Sequence, residues 1–108
     1  MTSTNIDQYL ASLEQSFAPE RAQGQHAILQ YHFTGDVVGA CYAVIADGAL
    51  HAAPGEHAAP DATIQADFAL WQQILAHSVD RLMAYQDGQY TILGNVEVAL
   101  DSDAWFNH

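Results

Sequence analysis

The sequence has no lysine. Its only cations of fixed charge are Arg21 and Arg81, set against thirteen acidic residues, for a formal net charge of −11. A nucleic-acid partner needs several cations to displace counterions from phosphates, and two arginines do not supply them. Anionic membranes repel such a surface at long range, so no stable membrane insertion is expected. Charge of either sign is scarce: 14% of residues are charged, against about one in four in an ordinary domain. Cys41 is the only cysteine, which excludes an intrachain disulfide. No apolar run approaches the roughly 18 residues that span a bilayer, and the N-terminus lacks the basic-then-apolar order of a signal peptide. A cytoplasmic location is expected.

Apolar residues, by contrast, make up 50% of the 108 positions. Disordered chains lack that apolar mass, and a chain of this length suits one domain, taken here as 1–108. The acidity reads first as a device for solubility.

Hydrophobic spacing divides the chain. Ile6, Tyr9, Leu10, Leu13 and Phe17 recur at helical intervals, with Ser3 or Thr4 as cap and Pro19 as stop. Leu29, Tyr31 and Phe33 then alternate with polar residues, the period of a strand. Gly39 to Ala46 is a second strand, and Asp47-Gly48 is a hairpin signal that returns the chain as a third, Ala49 to Ala53. After a Pro54-to-Pro60 loop, Ala62 to Ala66 forms a short fourth strand. Asp67 and Asp80 read as caps of two helices, carrying Phe68, Trp71, Ile74 and Leu75, then Leu82, Met83 and Tyr85. Gly88 closes the second of them. Gln89 to Leu93 is a fifth strand, and Asn95 opens a last helix with Val96, Ala99 and Leu100. Hairpin-linked strands followed by clustered helices predict an α+β fold, with a mostly antiparallel sheet covered by helices on one face.

Chemistry-bearing motifs are scarce. The six histidines, His26, His32, His51, His57, His77 and His108, show no HExxH, His-x-His or CxxC partnership, so no metal is expected. His57 and Asp61 share a loop, which is weak support for a site. No serine sits in a G-x-S-x-G elbow, and no phosphate loop or dinucleotide fingerprint is present. Cys41 lies within an apolar strand, where a thiol is usually inert. No cofactor and no catalytic residue are expected, and the chain reads as a non-enzyme.

One ordered set of residues goes further. It runs through the strand pair from Gly39 to Asp47-Gly48, Pro54-Gly55, the Asp61-Ala62-Thr63-Ile64 strand and the helix from Asp67 to His77. It ends in the block Met83-Ala84-Tyr85-Gln86-Asp87-Gly88-Gln89-Tyr90-Thr91-Ile92-Leu93-Gly94-Asn95. Over about Leu29 to Leu100 this resembles the sterol carrier protein type 2 family, also called the sterol-binding domain. The resemblance implies a five-stranded sheet covered by helices, with a hydrophobic tunnel between them that takes sterols, fatty acids, acyl-CoA thioesters or phospholipids. Some members assist quinone biosynthesis by holding polyprenyl lipids. The chain departs from the pattern at Gln89 and Thr91, where members commonly carry lysines, and at His77, where a glycine is common. The lysine departure argues against acyl-CoA and anionic head groups as ligands.

The expected function is noncovalent capture and transfer, with no catalytic step, of a fatty acyl, sterol-like or polyprenyl molecule. Strand parity puts Tyr31, Phe33, Cys41, Ala43, Ile45 and Ile92 on the helix-facing side; Trp71, Ile74, Leu75, Leu82, Met83 and Tyr85 form the opposing wall. Cys41 and Ala43 are small for central-strand positions and leave room. The alternative for each residue is plain core packing. The alternative for the whole is an interaction module that forms a homodimer or docks on a lipid or quinone biosynthetic enzyme, through a patch at Tyr42 and Val44.

Overall fold

A computed structural model of the protein describes residues 6–107; the Ser3 or Thr4 cap and His108 lie outside them. The first helix, α1, spans Ile6–Ser16 and buries Tyr9, Leu10 and Leu13, the stripe that its spacing predicts. Five strands follow the predicted order: β1 Ala27–Thr34, β2 Gly39–Ala46, β3 Ala49–Pro54, β4 Ala62–Asp67 and β5 Thr91–Gly94. Between the last two lie α2 (Phe68–Leu75) and α3 (Arg81–Gln86); α4 (Val96–Asp101) and a 3-10 turn (Ser102–Trp105) complete the chain. No helix of the described residues is long and apolar enough to cross a membrane.

The sheet order is β3-β2-β1-β4-β5. All neighbours are antiparallel except β1 and β4, which run parallel with Tyr31 beside Ile64. Turn chemistry sets the register of β2 on β3. Asp47 and Gly48 both take positive φ (54° and 72°), the geometry of a two-residue turn whose twist matches the flanking strands. The loop after β3 then crosses to the far edge of β1. Asp61 fixes its end, accepting from the Ile28 N–H through Oδ2 (2.7 Å) and donating its own N–H to the Ile28 carbonyl (2.8 Å).

Side-chain caps start the helices where the sequence places them. Asp67 accepts from the Leu70 N–H (3.1 Å), Asp80 from Met83 (2.9 Å) and Asn95 from Val98 (3.1 Å). At the end of α3, the Gly88 N–H donates to the Tyr85 carbonyl and the Gln89 N–H to that of Ala84. This closure, with Gly88 left-handed, uses up Gln89. The fifth strand therefore begins at Thr91, two residues later than alternation predicts.

The helices cover one face: α1 lies over β2 and β3, and α2 and α4 over β4, with α4 also reaching β5. The opposite face is partly roofed by the loop after β3. There the buried Gln30 accepts from the His57 N–H (2.7 Å) and contacts His32 and Thr63.

Candidate functional site

The helix-facing side of the sheet presents Leu29, Tyr31 and Phe33 from β1, Cys41, Ala43 and Ile45 from β2, Ala62, Ile64 and Ala66 from β4, and Ile92 from β5, all buried. The register puts Cys41 opposite Tyr31, Ala43 between Leu29 and Ala52, and Ile92 beside Ile64. Small side chains on central strands leave depth above the sheet, and rings fill it. Tyr9 of α1 packs edge-on against Tyr31, Phe33 and Phe68, with centroids 5.5, 5.0 and 6.1 Å away. Trp71 of α2 lies 6.1 Å from Tyr31 and 5.6 Å from Tyr90. One hydrogen bond latches the two helices together: the Trp71 indole Nε1 donates to the Tyr9 hydroxyl at 2.9 Å.

Burial governs the chemistry of this layer. It raises the Tyr9 and Tyr31 hydroxyls above their ordinary range and pushes the Cys41 thiol up to about 12. A thiol so placed is a poor nucleophile. The loop pair His57 and Asp61 is occupied separately, His57 Nδ1 accepting from Ala59 and Asp61 holding Ile28. His32 lies 3.3 Å from Glu56. Among the described residues, no three His, Cys, Asp or Glu side chains converge as a metal site.

The structure brings together Tyr31, Phe33, Cys41, Ala43, Ile45, Trp71, Ile74 and Ile92 in one core, with Leu75 and Tyr85 partly buried against it. Leu82 and Met83 do not join them. They are 48% and 61% exposed, which corrects their placement in the wall. The reason lies in which face α3 turns inward. Arg81, Ala84 and Tyr85, at i, i+3 and i+4, point toward the core, and Ala84 alone is fully buried. The Arg81 guanidinium sits 4.8 Å from the centroid of the Trp71 ring, a cation–π contact. Tyr9 and Phe68 lie on helical stripes legible in the sequence yet belong to the same layer. No apolar pattern marks Arg81.

Several clefts border the core among the described residues. The first, about 590 Å3, opens at the end of β1 and β4 and includes His32, Val38, Glu56, Gln65 and Tyr90; of the expected tunnel residues only Phe33 borders it. A second, of about 390 Å3, is bounded by Arg21, His77, Asp103 and the C-terminal segment. A third, of about 240 Å3, lies between Ile74, His77, Val79, Asp80, Arg81 and Asp103. His77 closes α2 in a left-handed conformation (φ 62°) that glycine usually fills. A β-carbon there costs about 1–2 kcal/mol.

A profile of the SCP-2 sterol transfer family matches residues 6–107. No curated protein sequence matches the chain significantly. Among solved structures, a stereoselective inverting sec-alkylsulfatase from Pseudomonas sp. is similar with a TM-score of 0.84 at 18% identity, over 94% of this chain. The chain spans only 16% of that protein's length. Palmitated SCP2L2 from Aedes aegypti is similar with a TM-score of 0.67 at 17% identity, over 95% of this chain and 93% of that one. UbiJ-SCP2, a ubiquinone synthesis protein, is similar with a TM-score of 0.64 at 16% identity, over 92% and 86%.

Proposed function

Since this chain belongs to the SCP-2 sterol transfer family, whose general activity is lipid binding and transfer, we propose that it binds one aliphatic or polyisoprenoid lipid noncovalently, between the sheet and α1–α2, without catalysing a reaction on it. The observation that carries this reading is the layer of small residues, Cys41, Ala43, Ala62 and Ala66, beneath a cluster of rings. Binding parts the rings and replaces their contacts on this floor with those of the lipid chain. The lining residues are then Tyr31, Phe33, Cys41, Ala43, Ile45, Trp71, Ile74, Leu75, Tyr85 and Ile92. Each methylene taken from water contributes about 0.8 kcal/mol, so a twelve-carbon chain supplies about 10 kcal/mol before opening and ordering costs are subtracted. The palmitated Aedes aegypti protein supports a fatty acyl ligand by its name. No metal or cofactor enters this reading, and the domain acts in the cytoplasm.

A second reading is favoured by a different observation. Val38, Leu82, Met83 and Leu93 are large apolar side chains left exposed. An interaction module would cover them by homodimerisation or by docking on a lipid or quinone biosynthetic enzyme, as the ubiquinone synthesis protein suggests by analogy. Mass spectrometry of the protein purified without denaturation separates the two. A copurified lipid in stoichiometric amount supports the carrier; a stable hetero-complex of lipid-free protein supports the module and overturns the first reading.

A further inference from the structure

The sheet ends in β3 on one side and β5 on the other. β5 is only four residues long and closes at Gly94. β3 is six residues long and pairs on one side only, with β2, in an unbroken register. The two-residue turn fixes which of its backbone groups look outward. Ala46 and Ala49 flank that turn as a hydrogen-bonded pair, so His51 and Ala53 bond to β2 as well. The Gly55 N–H, which donates to the Ala40 carbonyl at 2.9 Å, continues the same parity. Leu50 and Ala52 therefore turn their N–H and C=O groups away from β2, and Pro54 its carbonyl alone. Among the described residues, no backbone group pairs with them.

Free edges template pairing with another chain, and proteins blunt them with lysines, inward-pointing charges, bulges or a covering segment. β3 carries no charged residue and no bulge, and its proline stands only at the last position. Between the end of α1 and the start of β3 lies a cleft of about 290 Å3. Phe17, Pro19 and Leu50 give it apolar walls, and Glu14, on the last turn of α1, gives it a carboxylate. In strand addition the backbone pairing supplies affinity, and pockets for alternate side chains supply specificity. This cleft suits a long cationic side chain, whose methylenes lie along Phe17 and Leu50 while its charge meets Glu14. Asp47 at the hairpin and Glu56 just past Pro54 add exposed carboxylates at the two ends of the strand.

We infer that the free edge of β3 takes an extended segment of a basic partner polypeptide as a sixth strand, with a lysine or arginine of that segment seated in the cleft against Glu14. Charge selects this occupant over a second copy of the chain. Each copy carries a formal charge of −11 and has Glu14 and Asp47 beside the strand, so edge-to-edge pairing of two copies opposes like charges. A cationic segment is drawn to the same surface. The edge is separate from the exposed Val38, Leu82, Met83 and Leu93, and it uses none of the residues proposed to line the lipid. Docking there holds whether or not a lipid is bound.

Solution NMR of the full 15N-labelled chain with three blocked heptapeptides tests this. The probe is acetyl-Thr-Val-Thr-Arg-Thr-Val-Thr-amide, in which the two valines and the arginine share one face of a strand. A second peptide carries glutamate in place of arginine, and a third is the probe N-methylated throughout. The probe is expected to bind with a Kd of about 1 mM or below and, at tenfold excess over Kd, to slow exchange of the Leu50 and Ala52 amides about tenfold. The glutamate peptide should bind about tenfold more weakly or worse, and Glu14→Gln should narrow that difference several-fold. Ala52→Pro removes one outward N–H at the parity that Pro54 already occupies, and should abolish the protection of Leu50. The N-methylated peptide should not bind, and it decides the same point if Ala52→Pro does not fold. Equal affinity for the arginine and glutamate peptides, or a difference unmoved by Glu14→Gln, overturns the basic partner. Binding of the N-methylated peptide, or no protection of Leu50 and Ala52 by the probe, overturns edge pairing. Concentration-dependent dimerisation in analytical ultracentrifugation, with the same two amides protected in the absence of peptide, makes a second copy the occupant and overturns the proposal.

Discussion

Tyr9→Phe removes one oxygen from the centre of the ring layer. That oxygen accepts from the Trp71 indole at 2.9 Å, and Tyr9 is buried. The ring itself is unchanged, so packing against Tyr31, Phe33 and Phe68 survives. The loss is the acceptor for a buried indole N–H, which costs about 1–3 kcal/mol. For a domain of this size that lowers Tm by roughly 4 °C per kcal/mol. Urea unfolding should show the midpoint fall with an unchanged m-value. The consequence for function has the opposite sign. If lipid binds only after α1 and α2 part, weakening their latch raises the population of the open form. A loss of about 1–2 kcal/mol in the closed form would then raise lipid affinity about 5- to 30-fold. Stability and affinity should move in opposite directions, by similar free energies. A folded Tyr9→Phe protein with lowered Tm and unchanged or weaker lipid affinity would refute the idea that the rings must part.

Other consequences are independent of the ligand. The Cys41, Tyr9 and Tyr31 protons are held more tightly in the folded than in the unfolded chain, so stability should be full below pH 9 and fall as pH rises from about 9 toward 12. Each group contributes about 1.4 kcal/mol per pH unit within its window, Cys41 first; a flat urea midpoint from pH 8 to pH 11 would contradict this burial. Gly94 takes φ 85°, and a β-carbon there would meet the Asp61 carbonyl at 2.6 Å, so Gly94→Ala should cost about 2 kcal/mol or more and loosen β5 from β4, read by amide exchange. Leu82→Ser, on the exposed side of α3, should leave stability within about 0.5 kcal/mol, whereas a loss above about 2 kcal/mol would restore Leu82 to the wall.

The strands and their inner faces were legible because alternation and turn chemistry agree. Tyr31 and Phe33 alternate with Gln30 and His32, and Asp47-Gly48 fixes the β2–β3 register that sets Ala43 inside. The caps Asp67, Asp80 and Asn95 were equally plain, because a short acceptor before an apolar helix has few other uses. The rotation of α3 was not legible. Six residues offer too few turns for periodicity to choose a face, so hydrophobicity pointed to Leu82 and Met83, while the small Ala84 and the Arg81–Trp71 stack decide the packing. The pairing of β1 with β4 was also out of reach. It depends on a loop whose hold on β1, through Asp61, is a tertiary hydrogen bond with no local pattern.

Where the lipid lies can be read from solution NMR of the full chain with uniformly 13C-labelled palmitate. Intermolecular contacts from the labelled methylenes to the Ala43 methyl, Ile45, the Trp71 ring and Ile92 are the predicted result. Contacts confined to the exposed Val38, Leu82, Met83 and Leu93, or to Tyr42 and Val44 on the opposite face, would contradict the account.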